Sequence, residues 1–373
     1  MIFGGRWMRD LIAPLPQAVI DEVVRRGLAS LLLLAAGACG GGSSTSPTPP
    51  PTPPGSSVLS DTLKAAASAR GRLIGTAVQT SLLGGAQYGT VLAREFNYLT
   101  AEYEMKWNIV EPGRGSMNFG PGDAIVGYAA SNGMRVKGHT LIWHGSAPSW
   151  LDGLPAGDLR TEFERHIRDV MAHYRGRVHA WDVVNEAVAD SGTSLRDTLF
   201  RQRLGDDYIA DAFRLARAAD AQALLFYNDY GGEGLSAKAD RIYALLQDLL
   251  SKGDPIDGVG LQMHISATSR PSTASIAENV RRLAALGLIV HISEMDVRIN
   301  NASGTDQERF EAQRAAYRDV VGVCMMEPRC EALTFWGFTD AHTWLTGDQP
   351  LLFDVQYQPK PAFYGVLDAL RGR

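Results

Sequence analysis

Cysteine is scarce in this 373-residue chain, with three residues in all. That excludes the disulfide-dense scaffolds that small exported domains use in place of a large core. No His-x-His or His-Glu-x-x-His pattern occurs, so the usual signatures of a bound metal are missing, and neither a metal nor another cofactor is expected. Positive charge is not in excess either: 36 Lys and Arg against 41 Asp and Glu leave a net charge of -5. Such a surface has no long-range attraction for nucleic acid or anionic lipid. Beyond the first 57 residues no unbroken apolar run is long enough to span a membrane. What is present is apolar content of 45%, enough for a sizeable core. The length could hold two average domains, yet a (β/α)8 barrel routinely uses about 250 residues or more as one unit.

The first 57 residues differ in composition from the rest. Arg25-Arg26 precede an apolar run from Leu28 to Ala38 that ends in small residues and Cys39, followed by Gly40-Gly41-Gly42. This reads as an export signal over residues 1–39, too short for an anchor helix. Small residues before a cysteine resemble a bacterial lipoprotein signal with lipid attached to Cys39, although Ala36 stands where that pattern usually has Leu. The alternative is an ordinary secretory signal cut near Ala38. Acidic Asp10, Asp21 and Glu22 upstream of the basic pair suit a signal poorly, and translation is expected to begin nearer Val23 or Val24. Residues 40–57 are Gly, Ser, Thr and Pro-rich, including Pro49-Pro50-Pro51-Thr52-Pro53-Pro54, a composition that buries little and favours extended segments. They read as a spacer before a single domain at 58–373. Of the other cysteines, Cys324 and Cys330 flank Glu327-Pro328. A local disulfide is expected, two free buried thiols being the alternative, and two cysteines are too few for a structural zinc site.

After Val58, short β-type runs alternate with stretches of helical period, the pattern of repeated βα units around a parallel sheet. Eight strands are predicted, at 73–79, 98–106, 135–143, 180–186, 224–229, 258–264, 289–296 and 332–338. Helical periodicity lies between them, as in Leu159, Phe163, Ile167, Val170 and Tyr174, or Ile242, Leu245, Leu246 and Leu249. Eight such units close into a (β/α)8 TIM barrel. Parallel strands are normally apolar on both faces, yet polar residues gather toward the C-terminal end of almost every one: Glu102 and Lys106, His139 and His144, Asn185 and Glu186, Asn228 and Asp229, Gln262 and His264, Glu294 and Asp296, Trp336 and Asp340. Barrel enzymes build their sites at that end, so these residues are expected to converge on one mouth.

Two of them suit a specific chemistry. Cleaving a glycosidic bond with retention needs one carboxyl group that donates and then accepts a proton, and one ionised carboxylate that attacks the anomeric carbon, about 5 to 5.5 Å apart. Glu186, in Trp181-Asp182-Val183-Val184-Asn185-Glu186, and Glu294, in Ser293-Glu294-Met295-Asp296, end the fourth and seventh predicted strands. Either alone would more often be an ion pair at a strand end; two on one barrel favour catalysis. Gln262 and His264 share a face of their strand, as do Glu294 and Asp296. Asp296 is therefore expected to orient His264, which in turn holds Glu294.

These residues belong to an ordered series: Glu104-Met105-Lys106-Trp107, Gly138-His139-Thr140-Leu141-Ile142-Trp143-His144, Trp181 to Glu186, Tyr227-Asn228-Asp229-Tyr230, Gln262-Met263-His264, Ser293 to Asp296, and Phe335-Trp336-Gly337. From about Val58 to Leu370 the chain resembles family 10 of the glycoside hydrolases, the barrel xylanases. The resemblance implies a retaining endo-β-1,4-xylanase acting on xylan and xylo-oligosaccharides, with Glu186 as acid/base and Glu294 as nucleophile. It implies that Lys106, His139 and Asn185 bind hydroxyls of the sugar being cleaved, with Glu102 also on the substrate side. Trp143, Trp336 and Trp344 would wall that sugar and Tyr230 would meet the leaving group; core packing is the alternative for Trp107 and Trp181. A monomer is expected. The chain departs from the family pattern at Tyr103, Ser146, Gly231 and Leu345, where Asn, Gln, Asn and Arg are usual. Tyr103 is expected to alter recognition one unit beyond the cleaved sugar. The alternative substrates are cellulose or mixed-linkage β-glucan, cleaved by the same carboxylate pair. A metal hydrolase built on His139, His144, His264 and Asp296, and a non-catalytic glycan-binding protein, are the readings from other classes.

Overall fold

The computed structural model describes residues 61–373; the expected signal, Cys39 and the spacer lie outside them. Nine parallel strands are present among the described residues: β1 (Leu73–Val78), β2 (Tyr98–Ala101), β3 (Arg135–Trp143), β4 (Ala180–Asn185), β5 (Leu224–Asp229), β6 (Gly258–Leu261), β7 (His264–Ser266), β8 (Ile289–Arg298) and β9 (Cys330–Phe335). They run in the order β6-β5-β4-β3-β2-β1-β9-β8, and β8 pairs back onto β6, so the sheet closes on itself as the (β/α)8 TIM barrel. β7 pairs only with the end of β8. Helices cover the outside; in Ala156–Tyr174 the buried face includes Leu159, Phe163, Ile167, Val170 and Tyr174, the three- and four-residue spacing of one helix face.

The strands predicted at 73–79, 180–186, 289–296 and 332–338 have bounds shifted by one to three residues, and two others depart further, each for a local reason. The segment predicted as one strand at 258–264 is broken, because Met263 has φ of 65°, which no ladder accommodates. Leu261 pairs with Ile292 and His264 with Asp296, so β8 carries one residue more than its neighbour across the break. The second strand ends at Ala101 instead of 106. Beyond it the Glu104 carboxylate accepts the backbone N–H groups of Thr80 (2.5 Å) and Tyr103 (3.2 Å), which closes a turn where a ladder would otherwise continue. Glu102 and Lys106 therefore project from a turn, and Lys106 is the residue that begins the helix Trp107–Val110.

Trp181 on β4 lies flat over β3, where a Cβ on Gly138 would stand 2.2 Å from its Cε3. On the opposite face of the sheet Lys137 and Asp182 form a fully buried ion pair at 2.6 Å. Trp107 is also fully buried, stacked on His166 with ring centroids 3.9 Å apart, so both of these tryptophans are core. Cys324, in the helix Asp306–Met326, and Cys330, which opens β9, are joined by a disulfide with their Cα atoms 5.2 Å apart. No helix among the described residues is long and apolar enough to cross a membrane. Gly138→Ala drives a methyl into Trp181 in a packed core and is expected to cost about 1–3 kcal/mol, read as a lower midpoint in denaturant unfolding with the far-UV spectrum unchanged.

Candidate active site

A cleft of about 540 Å³ opens at the C-terminal end of the barrel strands, lined by residues that include Glu186, Glu294, Asn185, Gln262, His264, Lys106, His139, Trp143, Tyr230, Trp336 and Trp344. Two of the candidate residues stand behind this wall. Asp296 is completely buried beneath His264, and Glu102 accepts a hydrogen bond from Gln79 at 3.0 Å.

β8 brings Glu294 and Asp296 to one face, and β7 presents His264 to both. Its Nδ1 lies 2.8 Å from Asp296 Oδ2 and its Nε2 3.3 Å from Glu294 Oε2. Burial would lower the pKa of this imidazole, but the Asp296 charge, its hydrogen bond and the Glu294 carboxylate outweigh burial and raise it to about 10. Both ring nitrogens therefore carry protons at neutral pH and both donate. Burial would likewise raise Glu294, but the His264 hydrogen bond, the charges of His139 and His264, and the Asn228 amide hold it down to about 2. Glu294 is thus an ionised carboxylate almost out of water.

Glu186 is held differently. It follows β4 at φ of 58°, which turns its side chain away from the strand's alternation and into the cleft. Its carboxylate accepts from Trp143 Nε1 at 2.8 Å, Gln262 Nε2 at 3.0 Å and Asn185 Nδ2 at 3.3 Å. All three donors are neutral, and among the described residues no cation pairs with it within 4 Å. Such a shell serves a carboxylic acid and a carboxylate alike, since either form has acceptor capacity.

Asn228 on β5 ties the two carboxylates together. Its Nδ2 donates to Asn185 Oδ1 at 2.8 Å and to Glu294 Oε1 at 2.6 Å, and its Oδ1 accepts from Ser293 Oγ at 2.6 Å. The amide lies across β6, where a Cβ on Gly260 would stand 2.1 Å from Asn228 Oδ1; glycine at that position leaves the room.

Around this centre, the Lys106 ammonium faces the rings of Tyr103 and Trp143 at 4.9 Å each and that of Trp336 at 6.0 Å. Burial lowers its pKa against the pull of Glu294, Glu102 and Glu186. His139 Nδ1 is fixed by Asp182 Oδ2 at 3.0 Å. Trp336 is nearly buried, whereas Trp344 is half exposed and donates its indole N–H to Asp296 at 2.9 Å. Tyr230 sits on a charged support: its hydroxyl donates to Asp190 and accepts from Arg196 at 3.1 Å, and the Lys238 ammonium lies 3.5 Å from its ring. Of the positions that depart from the family pattern, Tyr103 and Gly231 line the cleft; Ser146 and Leu345 do not, and Ser146 is buried. His144 does not reach the wall either, and burial lowers its pKa.

Sequence reasoning missed two residues of the wall, Glu233 and Arg298. Arg298 stands at an i, i+2, i+4 spacing from Glu294 through Asp296 on one strand, a period that could have found it. Glu233 accepts the backbone N–H groups of Gly231 at 3.0 Å and Met263 at 3.3 Å; no local pattern marks that contact between two loops. The bridging role of Asn228 was equally hidden, because its hydrogen-bond partners come from two other strands.

Three outcomes follow from this geometry. A carboxylate whose pKa is depressed on folding contributes stability above its unfolded value and loses it as pH falls through the folded one; a histidine raised on folding contributes below its unfolded value and loses it as pH rises through the folded one. In His264→Gln, the acid limb of kcat/KM is expected to move up by about one pH unit or more, because Glu294 loses its cation. The decline in unfolding free energy between pH 6.5 and about 10 that His264 causes should vanish in the same variant. Gly260→Ala should push the Asn228 amide off Glu294 and lower kcat by about tenfold or more, with the unfolding midpoint as the control for gross damage.

Comparison with known proteins agrees with this geometry. The model of Glycosyl hydrolase family 10 matches residues 62–369. Endo-1,4-beta-xylanase B of Thermotoga neapolitana is 40% identical over 297 residues, covering 78% of this chain and 85% of that protein. An endo-1,4-beta-xylanase of Geobacillus stearothermophilus is 38% identical over 320 residues, covering 79% and 94% respectively. Among solved structures, xylanase 10B of Thermotoga petrophila RKU-1 in complex with xylobiose superimposes with a TM-score of 0.80 at 38% identity, covering 84% of this chain and 98% of that one. With the match spanning almost all of the described residues and with relatives this similar along most of their length, the chain belongs to glycosyl hydrolase family 10.

Proposed function

We propose that the protein is an endo-β-1,4-xylanase that cleaves xylan with retention, Glu186 being the acid/base and Glu294 the nucleophile. The observation that carries this reading is the unlike support of two carboxylates in one cleft. Glu294 is held by a protonated imidazole at 3.3 Å and Glu186 by neutral donors at 2.8–3.3 Å. An ionised nucleophile and a group that can both give and take a proton are the two parts that double displacement needs.

In the first step Glu294 attacks the anomeric carbon while Glu186 donates its proton to the departing glycosidic oxygen, which leaves a glycosyl ester on Glu294. In the second, Glu186 takes a proton from water, and the water displaces that ester. Lys106, His139 and Asn185 bind hydroxyls of the sugar at the reacting centre, and Gln262 keeps Glu186 in register. Trp143, Trp336 and Trp344 offer flat rings to the apolar faces of the sugars, and Tyr230 receives the leaving-group side. A xylose ring lacks the C6 hydroxymethyl that a glucose ring would have to fit between Trp336 and Trp344. The proposal extends to the residues outside the structure: 1–39 export the protein, with lipid attachment at Cys39, and 40–57 hold a monomeric catalytic domain of residues 58–373 away from the envelope.

The test is product analysis. NMR should show the β-anomer first when xylo-oligosaccharides are cut, and xylan should be hydrolysed far faster than carboxymethylcellulose; an α-anomer or the reverse preference overturns the reading. Glu294→Ala should abolish turnover. Glu186→Ala should lose about 10²–10⁴-fold on xylan, and much less on an aryl xylobioside whose phenolate leaves without a proton.

A further inference from the structure

The cleft holds a cation that the mechanism does not use. Arg298 is the last residue of β8, two beyond Asp296 and four beyond Glu294, and its side chain forms part of the cleft wall. Its guanidinium carbon lies 5.6 Å from the centroid of the Trp344 ring, and that ring is itself tied to Asp296 at 2.9 Å. Among the described residues no carboxylate pairs with Arg298, and its Nε is buried without an acceptor. Other partly buried arginines of the chain are satisfied: Arg196 by Asp190 at 2.7 Å, Arg270 by Asp319 at 2.7 Å, Arg314 by Asp368 at 2.9 Å. The cleft's carboxylates are meanwhile engaged elsewhere, Glu294 with His264, Glu186 with Trp143 and Gln262, and Glu233 with two backbone amides.

A guanidinium presents a planar fork of donors that matches a carboxylate in two parallel hydrogen bonds. Holding it beside an aromatic ring at the edge of a cleft, with no acidic partner among the described residues, leaves its charge for the ligand. Hydroxyl groups of the neutral sugar are already served by Lys106, His139 and Asn185 and do not need a second permanent cation. Asp296 stands between Arg298 and the nucleophile along β8, so the guanidinium flanks the reacting centre without reaching it. We propose that Arg298 and Trp344 form a subsite for the carboxylate of a hexuronic acid carried as a branch on the xylan chain. The inference rests on the xylanase reading and names a branch chemistry that this reading leaves open.

The experiment compares kcat/KM on two substrates of equal backbone length, linear xylohexaose and the same oligosaccharide bearing one uronic acid branch, for the wild type, Arg298→Gln and Arg298→Lys. The ratio of branched to linear is expected to fall by about tenfold to a hundredfold in Arg298→Gln, the range of a charge-assisted hydrogen bond, and by less in Arg298→Lys, which keeps the charge and loses the fork. Reducing the branch carboxyl to a hydroxymethyl should bring the wild type's ratio down to that of Arg298→Gln. An unchanged ratio in Arg298→Gln overturns the proposal. So does an equal loss on both substrates, which would make Arg298 a brace for Trp344. Failure of the wild type to cut linear xylohexaose would instead defeat the xylanase reading itself.

Discussion

Three buried groups on two neighbouring strands set the terms for the cleft: Asp296, His264 and Glu294, joined through one imidazole by contacts of 2.8 and 3.3 Å. Two carboxylates on one face of β8, taken almost wholly out of water, would repel each other and draw protons. The imidazolium between them removes both penalties, and it leaves Glu294 charged at neutral pH. Everything opposite is built without a second cation in contact. Trp143, Gln262 and Asn185 hold Glu186 by neutral N–H groups, which keeps the two carboxyl groups chemically unlike although they are the same residue type in the same cavity.

The barrel delivers these side chains where its own regularity fails. Glu186 leaves β4 with a left-handed backbone conformation, and Met263 does the same between β6 and β7. The ladders of β3 with β4 and of β8 with β9 shift register beside His139 and Glu294. A regular strand would send every second residue to the outer layer of helices. Interruptions at the ends let consecutive residues such as Asn185 and Glu186 both reach the mouth. Such conformations cost free energy at each position, and the surrounding hydrogen bonds hold them in place.

This explains which parts were legible in the sequence. The eight-unit barrel follows from period-two and helical patterns, which are local, and so does the sharing of a strand face by Glu294 and Asp296. The end of β2 at Ala101 was not legible, because Glu104 closes its turn on Thr80 of the preceding unit. Nor was the break at Met263, whose N–H is taken by Glu233 from another loop. Asn228 could be placed at a strand end, but its bridge between Asn185 and Glu294 depends on Gly260 across the sheet. The support of Tyr230 by Lys238, Asp190 and Arg196 likewise gathers residues from a helix and a separate loop. What the sequence hides in each case is a contact between units.

The histidines show how far such contacts decide chemistry. His166 and His291 are fully buried, and His264 is mostly buried in the cleft wall. His166 stacks on Trp107 at 3.9 Å and His291 on Phe226 at 4.1 Å, with their ring nitrogens unpartnered. Burial pushes His166 down to about 3 and His291 well below its ordinary value, so both are neutral packing groups. His264 goes the opposite way, to about 10, and the two carboxylates it touches are what raise it. In the proposed mechanism one of those charges disappears midway, when Glu294 becomes a glycosyl ester. Were Glu294 the sole partner, burial would then favour loss of the imidazole's proton, and the carboxylate reformed by water would emerge beside a neutral ring. Asp296, the larger influence and closer at 2.8 Å, forms no covalent bond in either step. It therefore holds His264 protonated across the whole cycle, ready to stabilise the carboxylate that the second displacement releases.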